Sequence, residues 1–386
     1  MPINSQHFEG ERAGQLSMWL RTVDAIAASP VKIAAAFAIG GRLLYSFIAA
    51  LLAPHLFLDP AYIRSNEFTD HLISQSEGWK YAWLGVWERF DTLWYMHIAT
   101  SGYDRPNAVV FYPLYPLLIA MSHLPPLFAS LLISTICAFF FAWGFQKLVM
   151  LDYPAAVGMR GLILYLVWPA GFMLFAGYPD GLLLCCIVWA VYFARMGNAT
   201  GTAVMALLAG ASKALGMVVF LPIMFIAVRT MRWRVLTAGL AAGFAPVAMS
   251  IWMRSTGRMP MDQVYSAYWL TTIVPPWQTV WSALIGAAPF AALNLMALLL
   301  VVLFAFAFAD RIEYSLFAIG ILWLVLSKQT HPVLQSTSRY VMVVFPAFIN
   351  AGRVLESRLR FAVFAGLLGI IGLNVFELFL KWWLVV

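Results

Sequence analysis

Residues Trp87 to Asp104 read WERFDTLWYMHIATSGYD, a stretch that crowds charge, aromatic rings and turn residues together beside membrane-spanning sequence. Read as a helix, it places Trp87, Asp91, Trp94, Tyr95 and Ile98 on one face by i+3 and i+4 spacing, so a single carboxylate projects from an aromatic wall. Gly102 ends that helix, and Tyr103-Asp104-Arg105-Pro106-Asn107 turns the chain back toward the bilayer. The rest of the chain is apolar scaffolding, or polar segments able to meet this carboxylate at a membrane surface.

The class of the scaffold follows from composition. Of 386 residues, 63% are hydrophobic and 11% charged, a balance that excludes a water-soluble domain of this size. Apolar runs near the roughly 18 to 20 residues that span a bilayer as helix recur along the whole chain. The alternating ten-residue pattern of a β-barrel is absent. The expectation is an all-α polytopic membrane protein. Its formal charge of +7 is spread over short loops, which reads as orientation signal and contact with membrane lipids and excludes nucleic acid as a partner. Cys137, Cys185 and Cys186 lie inside apolar runs, with neither metal-ligand spacing nor a disulfide framework, and read as small buried hydrophobes. Glu9, Glu11, Arg12, Arg21 and Asp24 interrupt the apolar core that a cleaved signal peptide would need.

Residues 1–31 read as an N-terminal interfacial segment, with Leu16, Trp19, Leu20, Val23 and Ile26 on one side of a helix over 11–29; residues 32–386 form one transmembrane domain. The first span, 32–56, carries Arg42, which either faces protein or snorkels. Residues 59–107 form the longest polar stretch, with a surface helix near 67–83 and a second bearing Asp91. A Pro-punctuated apolar segment, 109–124, follows, and then spans at 127–149, 160–177 and 179–195. The run 200–228 is interrupted by Ser212-Lys213-Ala214-Leu215-Gly216 and fits two half-length helices meeting at a charged break. Later spans fall at 233–253, 286–309, 315–327, 338–352 and 361–384, with a second polar loop over 254–285. Basic clusters at Arg229, Arg232 and Arg234, at Arg353, Arg358 and Arg360, and at Lys147, Arg160 and Arg195 mark the cytoplasmic side. Residues 59–107, the Lys213 break, the second loop and Lys328 to Arg339 then share the opposite, extracytoplasmic face. With that sidedness, 109–124 does not cross as a simple span.

No nucleotide-binding glycine loop, HExxH, metal-spaced Cys or His pair, or GxSxG occurs. An enzyme of this kind needs no cofactor or metal if its activated substrate arrives through the membrane. A sugar on a polyprenyl phosphate fits, because the lipid phosphate is already a leaving group. Two contributions are then required. The first is a carboxylate that takes the proton of the attacking hydroxyl, and Asp91 is the candidate; the competing reading is an interfacial Asp that caps a helix or pairs with Arg89. The second is positive charge to hold the departing phosphate. Lys213, Lys328 with His331, and Arg339 in Ser336-Thr337-Ser338-Arg339-Tyr340 offer it, the last with Ser336 or Ser338 as a helix cap. A lipid-headgroup anchor is the rival role for that arginine. Tyr178-Pro179-Asp180 supplies a second carboxylate at a helix start, where a cap is the plainer role.

The sequence resembles the membrane glycosyltransferases of the GT-C class, most closely the PIG-V-like group related to GPI mannosyltransferase II. Trp87 through Asp104 reads as W-x-R-[FW]-D-x-x-W-Y-x-x-I-A-x-x-G-Y-D and continues into Phe111-Tyr112-Pro113-Leu114-Tyr115-Pro116, similar to that family's FxPLxP. Weaker likenesses follow in the same order: Tyr178-Pro179-Asp180 to Tyr-Ser-Glu, Lys213 to Gly216 to a basic-x-x-Gly pattern, and Ser338-Arg339-Tyr340 with Phe345-Pro346. Together they cover residues from about 30 to 355. The resemblance implies a GT-C-like bundle of about ten to twelve transmembrane helices with a large first extracytoplasmic loop. It implies inverting transfer of a hexose, with mannose expected, from a polyprenyl-phosphate sugar donor to an acceptor hydroxyl on a lipid, glycan or protein. Asp91 would be the base, with Arg339, Lys213 and His331 on the phosphate; Arg89, Trp87, Trp94, Tyr95, Tyr112, Asp180 and Tyr340 would complete the substrate-binding set. Lys213 stands where arginine is usual, and Pro179-Asp180 where Ser-Glu is. The expected location is the inner cell membrane in a prokaryote or the ER membrane in a eukaryote. A non-catalytic lipid or polyisoprenoid transporter, or a structural subunit of a membrane glycosylation complex, would share many of these features.

Overall fold

Ser29 to Gly286 and Phe290 to Trp383 are described by the computed structural model, so the expected helix over 11–29 lies, but for Ser29, outside the described residues. The first helix, Pro30–Leu52, starts where the sequence provides both a cap and a proline: the Ser29 side chain accepts from the Lys32 N–H, and Pro30 stands where no N–H is needed. Arg42 does not snorkel. It faces inward, donating from Nε to Thr135 Oγ1 and from Nη2 to the carbonyls of Leu131 and Phe175. The outer face shows Ile39, Leu43, Phe47 and Leu51 instead, as a lipid-facing helix does.

Among the described residues, four helices are long and apolar enough to cross a membrane: Pro30–His55, Pro126–Val149, Trp233–Ser255 and Arg358–Leu380. Shorter apolar helices, Ala155–Val167, Ala199–Ser212, Ala214–Arg229, Ala291–Ala307 and Ile312–Leu326, join the bundle, as does Asp180–Met196, which packs against Pro126–Val149 and Ala199–Ser212. The chain is thus all-α and apolar enough for a membrane, with four membrane-length helices where about ten to twelve spans were expected. Local breakers account for part of the difference. The helix expected over 160–177 stops at Val167, because Trp168 precedes a proline and is extended, with ψ 144°. A 3₁₀ turn at Gly171–Leu174 follows before the next helix, Asp180–Met196. The helix expected over 338–352 is two pieces, Thr337–Val341 and Phe345–Val354. The charged break at Lys213 is present: Lys213 is extended at φ −159°, ψ 153°, between Ala199–Ser212 and the 3₁₀ segment Ala214–Val219. Gly216 permits this reversal, since a Cβ there would lie 1.9 Å from the Ala209 carbonyl oxygen. The 109–124 segment contains one eight-residue helix, Leu114–Met121, about 12 Å long and too short to cross alone.

The 59–107 stretch differs from expectation in two ways. No helix spans 67–83; the region is broken into Pro60–Arg64, a 3₁₀ turn Gln75–Glu77 and Trp79–Trp83, with Gly78 at φ +56° between the last two. The Asp91 helix is Asp91–Ser101, because Phe90 sits at φ +46° and stops it from extending backward. Trp87 therefore lies in a 3₁₀ turn, Gly85–Trp87, and does not share the Asp91 face. Gly102 ends the helix at φ +75°, as its sequence position suggests.

A feature without sequence warning is a two-stranded antiparallel ribbon, β1 (Thr271–Ile273) and β2 (Lys328–Thr330), pairing Ile273 with Lys328 and Thr271 with Thr330. It ties the second polar loop to the segment leading into Arg339. Trp269, just before β1, packs against Trp94 and Phe111, so the loops around 100 and 270 close over one aromatic cluster. The three cysteines are free, Cys137 and Cys186 buried among apolar neighbours.

Candidate functional site

Asp91 is the first residue of its helix, where a carboxylate meets the positive end of the backbone dipoles. Its backbone N–H donates to the Tyr178 hydroxyl at 3.3 Å. Tyr178 belongs to the turn that delivers Asp180, the first residue of the following helix. Asp180 Oδ1 accepts from Lys213 Nζ at 2.9 Å, and Asp180 Oδ2 accepts from Arg339 Nε and Nη2 at 3.1 and 2.9 Å. The remaining arm of the guanidinium, Nη1, donates to Asp91 Oδ2 at 2.8 Å. Four charges from four distant parts of the chain thus form one relay, Lys213–Asp180–Arg339–Asp91.

Burial is deepest in the middle of that relay and least at its Asp91 end. Side-chain exposure is 1% at Asp180, 3% at Arg339, 14% at Lys213 and 24% at Asp91. Isolated charges would be expensive in such a place, but two carboxylates and two cations sum to zero and each is hydrogen-bonded. Aromatic faces complete the seat: Arg339 Cζ lies 4.4 Å over the Tyr178 ring and 5.7 Å over Tyr340, and Lys213 Nζ lies 5.4 Å over Tyr340. Asp91 is the only member with appreciable access, so chemistry at this cluster would occur at its carboxylate.

The structure brings Asp91, Asp180, Lys213, Arg339 and Tyr340 together, yet reassigns several expected contacts. Arg89 does not pair with Asp91. Its buried guanidinium donates to the carbonyls of Gly85, Glu88 and Leu380 and to the Tyr81 hydroxyl, and stacks 4.7 Å over Trp382, fastening the loop to the last helix. Trp87 is fully buried against Phe376 and beneath Arg42, so it forms no pocket wall. Asp180 has both oxygens engaged and almost no exposure, which removes it from direct substrate contact and makes it a holder of the cations. Arg339 and Lys213 are likewise committed to carboxylates. His331 is exposed, its backbone N–H donates to the Leu270 carbonyl, and among the described residues it makes no bond to the cluster. The expected serine cap is absent: Ser336 sits at φ +62° with no side-chain cap bond, and the Ser338 N–H goes to Asn294 Oδ1.

Trp94 and Tyr95 do form an aromatic wall beside Asp91. Trp94 stacks on Phe111 and meets Phe68 edge-on, while Tyr95 is edge-on to Phe111 and Tyr115. Tyr112 is buried near Tyr265, a residue not singled out from the sequence as a site residue. Burial pushes the Tyr265 hydroxyl up to about 12, and the Asp91 charge adds to it; burial likewise lifts Tyr112 to about 12, with Tyr265 adding. Both therefore remain hydrogen-bond donors at neutral pH. Lys328, on β2, places its ammonium 3.7 Å over the Tyr265 ring and, among the described residues, pairs with no carboxylate. No local pattern could have linked Tyr265 to Lys328, because the ribbon that joins them has no sequence signature.

Two further polar features lie away from this seat. Behind the Asp91 helix, Leu93, Met96, His97 and Thr100 help line a cavity of about 300 Å³, and there His97 bonds Asp104 at 2.7 Å and holds its carboxyl below the usual range. At the basic-cluster end, Asp152 is clamped by Arg195 and Arg311, and Arg353 pairs with Asp310 at 2.7 Å. Comparison with protein-family models found no match, and comparison with curated proteins found none.

Proposed function

We propose that the chain is a membrane glycosyltransferase that uses a polyprenyl-phosphate-linked hexose, with mannose the favoured sugar, and that Asp91 is its base. The observation that carries this reading is the placement of Asp91: a carboxylate with 24% exposure at the open end of an otherwise buried charge relay. The likeness of residues 87–116 to the PIG-V-like motif supports it.

In the transfer, Asp91 takes the proton of the acceptor hydroxyl as that oxygen attacks the anomeric carbon. The bond from anomeric carbon to phosphate oxygen breaks, and its electron pair leaves with the lipid phosphate. A singly charged phosphodiester becomes a phosphomonoester, and the proton later passes to solvent. Arg339, held from behind by Asp180, fixes the carboxylate orientation, the preorganisation such a reaction requires. Trp94 and Tyr95, themselves buried against Phe111 and Tyr115, brace the helix that presents Asp91.

The test is sugar transfer by the purified chain in lipid nanodiscs, with polyprenyl-phosphate mannose, the glucose analogue and simple glycoside or lipid acceptors. Wild-type transfer with a loss of about 10²- to 10⁴-fold in Asp91→Asn is expected. Lipid or polyisoprenoid movement that persists in Asp91→Asn without any transfer by the wild type would indicate a transporter instead.

A further inference from the structure

We propose that Lys328 is the anion anchor of this site, holding a lipid-linked phosphate against Tyr265 and Tyr340 in front of Asp91. The inference rests on the transferase reading for its choice of lipid, but its argument is one of charge and geometry. Arg339 and Lys213, the cations that sequence alone favours for a phosphate, are each bound to carboxylates. The four-membered relay is neutral. A phosphate brought beside it gains no net attraction unless a carboxylate is displaced, which would leave a buried charge unmatched.

Lys328 is the surplus. Its ammonium is half-buried, sits 3.7 Å over the Tyr265 ring and has no carboxylate partner among the described residues. Contacts connect it to the base: Tyr265, under the Lys328 ammonium, is on the short helix capped by Trp269, whose ring packs 5.6 Å from that of Trp94, one turn along from Asp91, and Tyr340 lies 5.7 Å from the Arg339 guanidinium that holds Asp91. The hydroxyls of Tyr265, Tyr340 and Tyr112 make no hydrogen bond to any described residue. The site therefore presents one uncompensated positive charge and three free hydroxyl donors, the complement of a singly charged phosphodiester. The ribbon makes the placement firm, because β2 carries Lys328 opposite Ile273 while Gln329 Nε2 donates to Ser282 Oγ at 3.0 Å.

The experiment measures binding by tryptophan fluorescence in phosphatidylcholine nanodiscs, with polyprenyl phosphate, uncharged polyprenol and inorganic phosphate as probes, for the wild type, Lys328→Gln and Lys328→Arg. The wild type is expected to prefer polyprenyl phosphate over polyprenol by at least tenfold. Lys328→Gln should abolish that preference without weakening polyprenol, and Lys328→Arg should keep most of it. Lysine-dependent binding of inorganic phosphate as tight as that of the lipid would carry the anion site and name free phosphate as its source; much weaker binding names the lipid headgroup. A wild type indifferent to the phosphate group, or a folded Lys328→Gln that binds polyprenyl phosphate unchanged, overturns the proposal. The two readings fail separately: normal sugar transfer in Lys328→Gln removes the anchor alone, and lysine-dependent phosphate binding without wild-type transfer removes the enzyme alone.

Discussion

Replacing Asp180 by asparagine keeps the shape of the side chain and removes the one charge that Lys213 and Arg339 share. The carboxylate is 1% exposed and accepts three hydrogen bonds from two cations, so solvent cannot take its place. Deleting one partner of a buried ion pair costs about 3–5 kcal/mol, because the surviving charge is stranded. After the change, two cations would face Asp91 alone. Adding Lys213→Met returns the seat to one cation and one carboxylate, and should recover about 2 kcal/mol, within the range of coupling measured for residues in one network. Unfolding of the purified single and double variants in detergent, by heat or denaturant, measures both numbers. Losses that simply add, or a double variant less stable than Asp180→Asn, would show that charge balance does not hold this site together.

Gly216→Ala would drive a methyl into the Ala209 carbonyl oxygen, so a loss on the order of 3 kcal/mol is expected, together with impaired transfer because Lys213 leaves its register; a variant with wild-type stability and activity would count against the tight reversal. Asp152→Asn breaks the clamp of Arg195 and Arg311 on a carboxylate 7% exposed, and should lower the unfolding midpoint by the equivalent of about 3 kcal/mol while polyprenyl phosphate binding stays within twofold. Asp91→Asn, an uncharged stand-in for the protonated base, should bind polyprenyl phosphate more tightly than the wild type, severalfold by titration; weaker binding would contradict the charge count at the site.

Legibility from sequence tracked how local the information was. The apolar runs announced an all-α membrane chain, and Gly102 announced the end of the Asp91 helix, because both depend on residues within a turn or two. The start of that helix was misread: the i+3, i+4 pattern continues through Trp87, but a left-handed Phe90 interrupts the backbone without disturbing the pattern. The helix end at Trp168-Pro169 and the break between Val341 and the helix start at Phe345-Pro346 were overrun for a similar reason, with apolar content outweighing the proline signals. In the site, residue types were legible and partners were not. Asp91 and Arg89 are two apart in sequence, which suggested a pair, yet Arg89 is consumed by the carbonyls of Gly85, Glu88 and Leu380 and Asp91 by Arg339. The Lys328–Tyr265 contact depends on a three-residue ribbon that no propensity argument would nominate.

The charge arithmetic gives the architecture a purpose on the transferase reading. With Asp91 ionised, the relay and Lys328 together carry one net positive charge, matched to a phosphodiester donor. When the acceptor proton reaches Asp91, the same groups carry two, matched to the phosphomonoester product, whose charge at neutral pH lies near −1.5 to −2. Burying Asp180, Arg339 and Lys213 confines that change to a single carboxylate. A relay equally exposed throughout would let solvent and salt screen the difference. The gradient of exposure from Asp180 to Asp91 is what would make one proton count.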